Sequence, residues 1–457
     1  MDWTGRKVLV VGMARSGIAA ARLLVSLGAE VWANDDKRRD ELGSSVAELP
    51  REVRDAFGKK AENCLAGMDA VVVSPGVPSD APVFRLAQEK GITIIGEMEL
   101  ACQQACSPII AITGTNGKTT TTAFVGTMMQ KTGIQTYVAG NIGDPVSLCV
   151  REAKPEDWLV LEVSSFQLET APTLRPRVSA ILNLKPDHLN RHKTMENYVA
   201  TKANIFRNQR EDDVVVLNYD QPLVRSLAEK IGCKVLFFSR KERVPAGACI
   251  VDDRIVLINP DDGNVTPVAR PGEVRIPGDH NLENVLAACA IGMAAGVQPS
   301  VMRHTMASFE GIEHRIETVG TIGGVRFIND SKGTNPDSTI CAVQAMNMPT
   351  ILVAGGYNKG TDFAPLLESF TDKIQGMVVL GETAGKLMAC AREHGFSPVT
   401  EVKTLKTAVR AAYDMCRPGY TVLFSPACAS YDMFKDFEER GRVFKQVVAE
   451  LQEELDA

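Results

Sequence analysis

The residues best suited to chemistry lie in the sequence T-G-T-N-G-K-T-T, which begins at Thr113. Backbone N–H groups in a glycine turn at the start of a helix bind phosphate anions. Lys118 can reach the terminal phosphates of a nucleoside triphosphate, and the Thr119 hydroxyl can bind a phosphate-bound Mg²⁺. Ile112 occupies the position where the strict phosphate-loop pattern has its first glycine, so a chance Gly-Lys-Thr sequence is the alternative. The strand predicted before this sequence and the helix predicted after it favour a phosphate loop.

Polar residues also follow two further predicted strands. Glu162 lies near the end of one, where a parallel sheet places ligand chemistry, and its carboxylate is a natural second holder of Mg²⁺. The other strand, predicted over Val178–Leu184, runs into K-P-D-H-L-N-R-H. His188 and His192 have the spacing of a zinc pair on a helix, but no glutamate separates them, so His188 alone is the better metal or phosphate contact.

Two helices carry polar groups whose role the pattern leaves open. Lys202 stands among small and apolar neighbours in a helix predicted over Tyr198–Phe206, and a surface lysine is an equally good reading. Asn281 and Asn284 share one face of the first turn of a later helix. Helix capping explains one of these asparagines, and ligand hydrogen bonding suits the other.

The N-terminal segment has the pattern of a nucleotide-binding βαβ unit. A strand over Lys7–Val11 is followed by G-M-A-R-S-G, an alanine-rich helix and a second strand that ends near Asp35. This is the dinucleotide-fold fingerprint, except that Ala14 replaces the middle glycine and partly obstructs the approach of a pyrophosphate. The turn at 74–78, S-P-G-V-P, can offer N–H groups to phosphate or uracil. A βαβ core without a ligand and an NAD(P) dehydrogenase domain are the alternatives.

The order of strands and helices predicts an α/β protein of three domains. We place a Rossmann-like domain at 1–97, a central P-loop-type ATPase domain at 98–311, and a second Rossmann-like α/β domain at 312–457. In the last domain, a strand ending in N-D-S-K at 329–332 again puts polar groups at the carboxyl edge of a sheet.

Composition narrows the range of partners. The 457 residues carry a formal net charge of −6, which argues against nucleic acid or an anionic membrane as a partner. No apolar run approaches the length of a membrane span. The eleven scattered cysteines are most simply explained as reduced thiols in a cytoplasm.

Together these motifs resemble the Mur ligases, the ATP-dependent amino-acid-adding enzymes of bacterial peptidoglycan synthesis. The resemblance rests on T-G-T-N-G-K-T-T, the strand-end glutamate before S-S-F-Q-L-E, D-H-L, H-N-x-x-N, H-R and N-D-S-K, in order along the whole chain. S-P-G in the first domain and S-P-A-C-A-S-x-D-x-F in the last resemble the members that add D-glutamate to UDP-N-acetylmuramoyl-L-alanine. The resemblance implies ATP, D-glutamate and that precursor as substrates, two Mg²⁺ ions, an acyl-phosphate intermediate and a cytoplasmic monomer.

The resemblance also implies roles for individual residues. Thr119 and Glu162 would hold one Mg²⁺, His188 a second, and Lys202 would be carbamylated, with Lys118 also catalytic. ATP contacts are implied for Gly114, Thr115, Asn116, Gly117, Lys118, Thr119, Thr120, Asn281, Asn284, Arg315 and Asp330. The uridine-diphosphate precursor would be bound by Arg15, Ser16, Asp35, Lys37, Ser74, Pro75, Gly76 and Asn141. D-Glutamate would be bound by His314, Lys332, Thr334, Lys359, Ser430, Tyr431 and Phe437.

Two departures from the family pattern concern the first domain, namely Ala14 and the lysine at Lys37, where related chains often have arginine. A lysine there loses bidentate phosphate binding.

Another Mur ligase or a folylpolyglutamate synthase would share the ATP site and differ at both ends of the chain, and a nucleotide-binding regulatory protein is a further alternative.

Overall fold

The computed structural model of the protein describes residues 1–78, 80–357 and 361–456, and the chain forms two compact units. One unit comprises Met1–Val274 and Glu283–Ser308, and the other comprises Arg275–Leu282 and Phe309–Ala457. The first unit contains two sheets and the second contains one, which confirms the α/β class. The predicted domain boundaries at 97 and 311 stay predictions.

The first sheet has five parallel strands in the order β3-β2-β1-β4-β5. Its inner strands are mostly apolar, as in A-V-V-V of β4, because helices cover both faces of a parallel sheet, whereas the edge strand β3 is the exposed pair Arg54-Asp55. The order reverses between β1 and β4, and the carboxyl ends of strands at such a switch point form a ligand crevice. The elements are β1 Lys7–Val11, α1 Arg15–Ser26, β2 Glu30–Asn34, β3 Arg54–Asp55, β4 Ala70–Val73, α2 Pro82–Glu89, β5 Thr93–Gly96 and α3 Glu97–Cys102.

The second sheet has nine strands in the order β14-β13-β12-β11-β10-β9-β6-β8-β7. Strands β6 to β12 pair in parallel, whereas β12, β13 and β14 form an antiparallel edge. Strand β6 lies between β8 and β9, so the loop that follows it lies at the sheet's carboxyl edge, beside the ends of these two strands. The elements are β6 Ile109–Thr113, α4 Lys118–Gln130, β7 Thr136–Gly140, α5 Val146–Cys149, β8 Trp158–Glu162, α6 Ser165–Glu169, β9 Val178–Ile181, α7 Leu189–His192, α8 Met195–Ala203, β10 Val214–Asn218, α9 Pro222–Arg225, β11 Lys234–Ser239, β12 Gly247–Val251, β13 Arg254–Ile258, β14 Val265–Ala269, α10 Asp279–Ala294 and α11 Pro299–Ser308.

The third sheet has six strands in the order β15-β16-β20-β17-β18-β19. Only the β15–β16 pair is antiparallel among its strand pairings in the described residues. The elements are β15 Glu317–Ile322, β16 Val325–Asn329, α12 Pro336–Gln344, β17 Thr350–Ala354, α13 Ala364–Glu368, β18 Ile374–Val379, α14 Ala384–Glu393, β19 Val399–Glu401, α15 Leu405–Asp414, β20 Thr421–Phe424 and α16 Phe437–Asp456.

Two predicted elements differ in extent from the observed ones. Strand β9 ends at Ile181 and not at Leu184, because the chain beyond it turns to hydrogen-bond the loop after β6. Helix α8 begins at Met195, before the predicted start at Tyr198, because the Thr194 hydroxyl caps it by accepting a hydrogen bond from the Asn197 N–H. No helix within the described residues is long and apolar enough to cross a membrane.

Candidate active site

The predicted phosphate loop joins β6 to α4, and two of its glycines adopt conformations that other residues disfavour. Gly114 has φ +155°, and a Cβ there would lie 3.0 Å from the Leu182 Cβ. Gly117 has φ +82°, and a Cβ there would lie 2.2 Å from the Asn284 Oδ1. Both positions therefore require glycine. Because Gly117 is the residue immediately before α4, the positive end of this helix opens onto the loop, as phosphate binding requires.

Asn183, a residue that the sequence analysis did not single out, holds this loop in shape. Its Oδ1 accepts a hydrogen bond of 2.8 Å from the Asn116 N–H, and its Nδ2 donates one of 2.9 Å to the Asn116 carbonyl. The main-chain carbonyl of Asn183 also accepts from the Thr115 N–H at 2.9 Å. Three hydrogen bonds thus fix two consecutive loop residues to the end of the neighbouring strand.

Lys118 folds back over the loop that precedes it. Its Nζ donates to the carbonyl oxygens of Gly114, at 2.9 Å, and Thr115, at 2.7 Å. Thr119 is half-buried and Thr120 is buried in the same helical turn. The lysine that is predicted to contact phosphate therefore already lies against the loop.

Glu162 is the last residue of β8 and lies beside β6 in register with Ile112. It is buried, its Oε1 accepts a 2.7 Å hydrogen bond from the Asn141 Nδ2, and its Oε2 is a buried oxygen with no hydrogen-bond partner. Leaving a carboxylate oxygen buried and unpaired is costly, so the position is suited to a positively charged ligand. Glycine at position 140 lets the end of β7 approach Glu162 closely, since a Cβ there would lie 2.4 Å from the Glu162 carbonyl oxygen.

Lys202 is only 2% exposed, which excludes the reading of a surface lysine. Its Nζ donates to the Thr113 hydroxyl at 3.2 Å and to the Gly114 carbonyl at 3.0 Å, and it lies 5.0 Å from the centre of the Tyr198 ring. Burial, together with the charge of Lys118, lowers the pKa of Lys202 well below its ordinary value. Tyr198 in turn hydrogen-bonds the Thr115 hydroxyl at 3.1 Å, so α8 and the phosphate loop are directly joined.

His188 and His192 both pack near Phe166 but make different polar contacts. His188 is half-exposed, has φ +53°, and packs 4.9 Å from the Phe166 ring, and burial lowers its pKa. The His192 Nε2 lies 3.0 Å from the Ser165 hydroxyl, and its Nδ1 lies 3.5 Å from the Glu169 carboxylate. His192 thus fastens α7 to α6, which leaves His188 as the histidine available to a ligand.

A cavity of about 760 Å³ lies at the carboxyl end of the first sheet, at the switch point between β1 and β4. Six of the residues that the resemblance assigns to the uridine-diphosphate precursor line it: Ser16, Asp35, Ser74, Pro75, Gly76 and Asn141. Hydrogen bonds fix its walls, since the Asp35 carboxylate accepts from the N–H groups of Met13, at 2.9 Å, and Lys37, at 3.1 Å. Asn141 therefore touches both this cavity and the buried carboxylate of Glu162.

The other two residues assigned to that ligand do not line the cavity. The Arg15 guanidinium lies 3.0 Å from the Asp144 carboxylate, and both side chains are largely exposed. Lys37 contributes its backbone N–H to Asp35.

In the second unit, Asp330 is a buried carboxylate at the end of β16. Its Oδ2 accepts from the Ser425 hydroxyl at 2.6 Å, and its Oδ1 lies 3.6 Å from the Arg315 guanidinium. Burial raises the pKa of Asp330, and Arg315 opposes that shift. Burial and Arg315 together lower the pKa of His280 to about 4. The Asn281 Nδ2 donates to the Pro277 carbonyl at 2.7 Å, whereas Asn284 lies beside Gly117 in the first unit.

Four of the residues assigned to D-glutamate lie at two loops of the second unit: Lys332 and Thr334 after β16, and Ser430 and Tyr431 after β20. The Lys332 Nζ lies 5.5 Å from the centre of the Phe437 ring. Thr334 is half-buried, Ser430 is buried, and Tyr431 is 67% exposed. His314 is enclosed, because its Nδ1 lies 3.0 Å from the Asn329 Nδ2 and its N–H donates to Glu317. Lys359 lies outside the described residues.

Arg440, in α16, ties these loops together. It is 2% exposed, and it donates to the Ser331 hydroxyl at 3.0 Å, the Ser331 carbonyl at 2.7 Å and the Cys428 carbonyl at 3.0 Å. Burial lowers its pKa to about 10. One guanidinium therefore joins the loop after β16, which carries Lys332, to the loop after β20, which carries Ser430.

Family models and known relatives match this sequence along nearly the whole chain. Residues 6–96 match the model of the Mur ligase MurD-like N-terminal domain, 112–292 the Mur ligase middle domain, and 314–428 the Mur ligase glutamate ligase domain. A UDP-N-acetylmuramoylalanine--D-glutamate ligase from Thermoanaerobacter sp. strain X514 is 48% identical over 455 residues, covering 99% of this chain and 100% of the relative. The chain belongs to the Mur ligase family. The enzyme of the same name from Clostridioides difficile strain 630 is 45% identical, covering 99% of this chain and 100% of the relative.

Solved Mur ligase structures share the fold. UDP-N-acetylmuramate-alanine ligase from Thermotoga maritima has a TM-score of 0.61 at 18% identity, covering 97% of this chain and 99% of that one. MurF from Acinetobacter baumannii has a TM-score of 0.60 at 18% identity, covering 99% and 91%. At this level of identity the likeness concerns the fold alone.

The roles of three residues of this Mur ligase were not predicted from the sequence, for different reasons. Asn183 follows a strand end, the same signal that identified Glu162, and could have been found. Tyr198 stood at the start of a predicted helix with no sign of its partner. Arg440 lies in E-E-R-G, which resembles a solvated charged segment, and only tertiary packing shows that it is buried.

Proposed function

We propose that this Mur ligase uses ATP to join D-glutamate to UDP-N-acetylmuramoyl-L-alanine. The observation that carries the proposal is the position of Asn141, which lines the nucleotide-sized cavity and hydrogen-bonds Glu162 beside the phosphate loop. A carboxylate-bearing substrate held in that cavity can thus extend toward ATP. The name of the relatives at 44–48% identity over nearly the full chain supports this choice of substrates.

The chemistry is a phosphoryl transfer followed by an acyl transfer. The L-alanyl carboxylate attacks the γ-phosphorus of ATP, ADP leaves, and an acyl phosphate forms. The D-glutamate amine then attacks the acyl carbon, and phosphate leaves as the amide forms and the amine loses a proton. Positioning and neutralisation of charge provide most of such catalysis, which assigns phosphate binding to the loop N–H groups and Lys118.

The residues beside the phosphate loop fit Mg²⁺. Glu162 offers a buried oxygen without a hydrogen-bond partner, and Thr119 offers a hydroxyl in the first turn of α4. Oxygen ligands of this kind are those that Mg²⁺ prefers. We assign Thr119 and Glu162 to one ion and His188 to a second. When bound, Mg²⁺ would neutralise charge that develops on the phosphates.

The buried environment of Lys202 is suited to carbamylation of its amine. Carbamylation requires an uncharged amine, and burial favours the uncharged form of this side chain. An ammonium would repel Mg²⁺, whereas a carbamate supplies oxygen ligands. We therefore propose that CO₂ modifies the Lys202 amine.

The second unit supplies groups suited to the two carboxylates of D-glutamate, chiefly Lys332 and Ser430. Assignment of Arg315 and Asp330 to ATP remains a prediction. We further propose a cytoplasmic monomer; the eleven cysteines, all free thiols, support the compartment.

The test is phosphate release from ATP with UDP-N-acetylmuramoyl-L-alanine, with and without D-glutamate. We expect release that requires both substrates. A panel with L-glutamate, L-alanine and diaminopimelate serves as control. Turnover with one of these and not with D-glutamate would refute the proposed substrate.

A further inference from the structure

The 760 Å³ cavity has a charge imbalance. Asp35, Asp36 and Glu62 contribute three carboxylates to its lining, and Lys60 is the only lysine or arginine among its described lining residues. A uridine-diphosphate ligand is itself an anion, so three carboxylates alone would repel it. Besides the backbone N–H groups at the start of α1, a cation close to the cavity wall would offset these carboxylates.

The two cations predicted for this purpose lie elsewhere. Arg15 pairs with Asp144, and Lys37 contributes a backbone N–H, and neither residue lines the cavity. Lys60 belongs to a loop without hydrophobic periodicity, so no sequence pattern indicates it.

The segment before Lys60 is firmly held against the end of β2. The buried Asn34 Nδ2 donates to the Ala56 carbonyl at 2.9 Å and to the Lys59 carbonyl at 2.8 Å. The Gly58 N–H donates to the Asp35 carbonyl at 2.9 Å. These bonds place the Lys60 backbone at the cavity rim before any ligand arrives, which reduces the entropy cost of binding.

Lys60 also has hydrogen-bonding capacity beyond its present contact. Its Nζ donates to the Asp36 Oδ2 at 2.6 Å. An ammonium has three N–H donors, so it can keep this bond and bind a phosphate oxygen as well. The hydrogen bond with Asp36 raises the pKa of Lys60, so the side chain stays charged at neutral pH.

We propose that Lys60 is the cation that binds the diphosphate of the uridine-nucleotide ligand in this cavity. The proposal deepens the proposed function, because it names the residue that distinguishes a uridine diphosphate from an uncharged uridine. Asp36 orients the ammonium and Asn34 positions the loop.

The test measures the affinities of UDP and of uridine for the full chain by calorimetry, with NMR titration for weak binding. We expect Lys60→Gln to weaken UDP binding about tenfold, equivalent to ~1.4 kcal/mol, and to leave uridine binding unchanged. Lys60→Arg should recover most of the UDP affinity, because it keeps the charge. Lys59→Gln, an exposed neighbour outside the cavity lining, is the matched control and should bind UDP as the wild type does.

Asp36→Asn separates binding by Lys60 from a structural role of the ion pair. If Lys60 binds diphosphate, removing the Asp36 charge preserves or raises the ratio of UDP to uridine affinity. If this variant lowers the ratio as Lys60→Gln does, or if Lys60→Gln leaves UDP affinity unchanged, the proposal is overturned. Failure of the proposed function would look different, because the wild type itself would then release no phosphate with both substrates.

Discussion

Replacing Asn183 with alanine tests whether this side chain shapes the phosphate loop. The change removes two hydrogen bonds to Asn116, of 2.8 and 2.9 Å. At ~0.5–1.5 kcal/mol for each hydrogen bond, losing both costs about 1–3 kcal/mol of stability. We expect a value in the lower half of this range, because Asn116 is half-buried and water can replace part of the lost hydrogen bonding. Since the loop N–H groups bind phosphate only in this shape, we expect the KM for ATP to rise about tenfold.

Gln209→Ala is the matched control. Its amide donates to the carbonyls of Pro176 and Val214, each at 3.1 Å, and accepts a hydrogen bond of 2.7 Å from the Ser179 hydroxyl, at the opposite end of β9 from the loop. It should lower the free energy of unfolding in urea by at least as much, because three hydrogen bonds are lost, and leave the KM for ATP unchanged. Equal KM values in the two variants would refute the assignment of Asn183 to the loop.

Three further outcomes follow from buried groups. Lys202→Ala should abolish most phosphate release, with partial rescue by short carboxylates; unchanged turnover would remove the lysine from the site. Arg440→Lys should raise the KM for D-glutamate more than the KM for ATP, because a lysine cannot make all three hydrogen bonds; an equal rise in both would indicate general destabilisation. The pKa of His280 is about 4 when folded and near 6.5 when unfolded, so the unfolded chain binds the extra proton between these values and stability falls as pH falls through that window. From pH 7 to pH 5 this should cost about 2 kcal/mol in urea unfolding, and His280→Gln should flatten the slope; an unchanged slope would contradict the shift.

The sequence predicted the phosphate loop and the ends of the central strands because that information is local. Gly114 and Gly117 are needed for backbone geometry alone, and Glu162 is placed by the rule that parallel strands present polar residues at their carboxyl ends. The same rule led to Asp35 and Ser74, which line the cavity.

The direction of loop side chains and the burial of charged groups could not be predicted in this way. Lys37 follows β2 and Lys60 follows β3, both in loops without periodicity, and tertiary hydrogen bonds such as those of Asn34 place Lys60 at the cavity. Sequence alone did not decide whether Lys202 is a surface residue or a site residue. A helical pattern shows which residues share a face of the helix but not what packs against that face. Arg440 is buried by contacts with loops more than ten residues away in sequence.

The burial of Lys202 and the shape of the phosphate loop are parts of one arrangement. Thr113 donates to the Val163 carbonyl at 2.7 Å, accepts from Lys202, and so joins β6 to the end of β8. As a free amine, Lys202 donates to both Thr113 and Gly114, but the nitrogen of a carbamate carries a single hydrogen. Carbamylation must therefore give up one of these bonds, and the Gly114 carbonyl retains Lys118 as its other donor. Under the proposed carbamylation, the loop thus keeps that buried carbonyl paired.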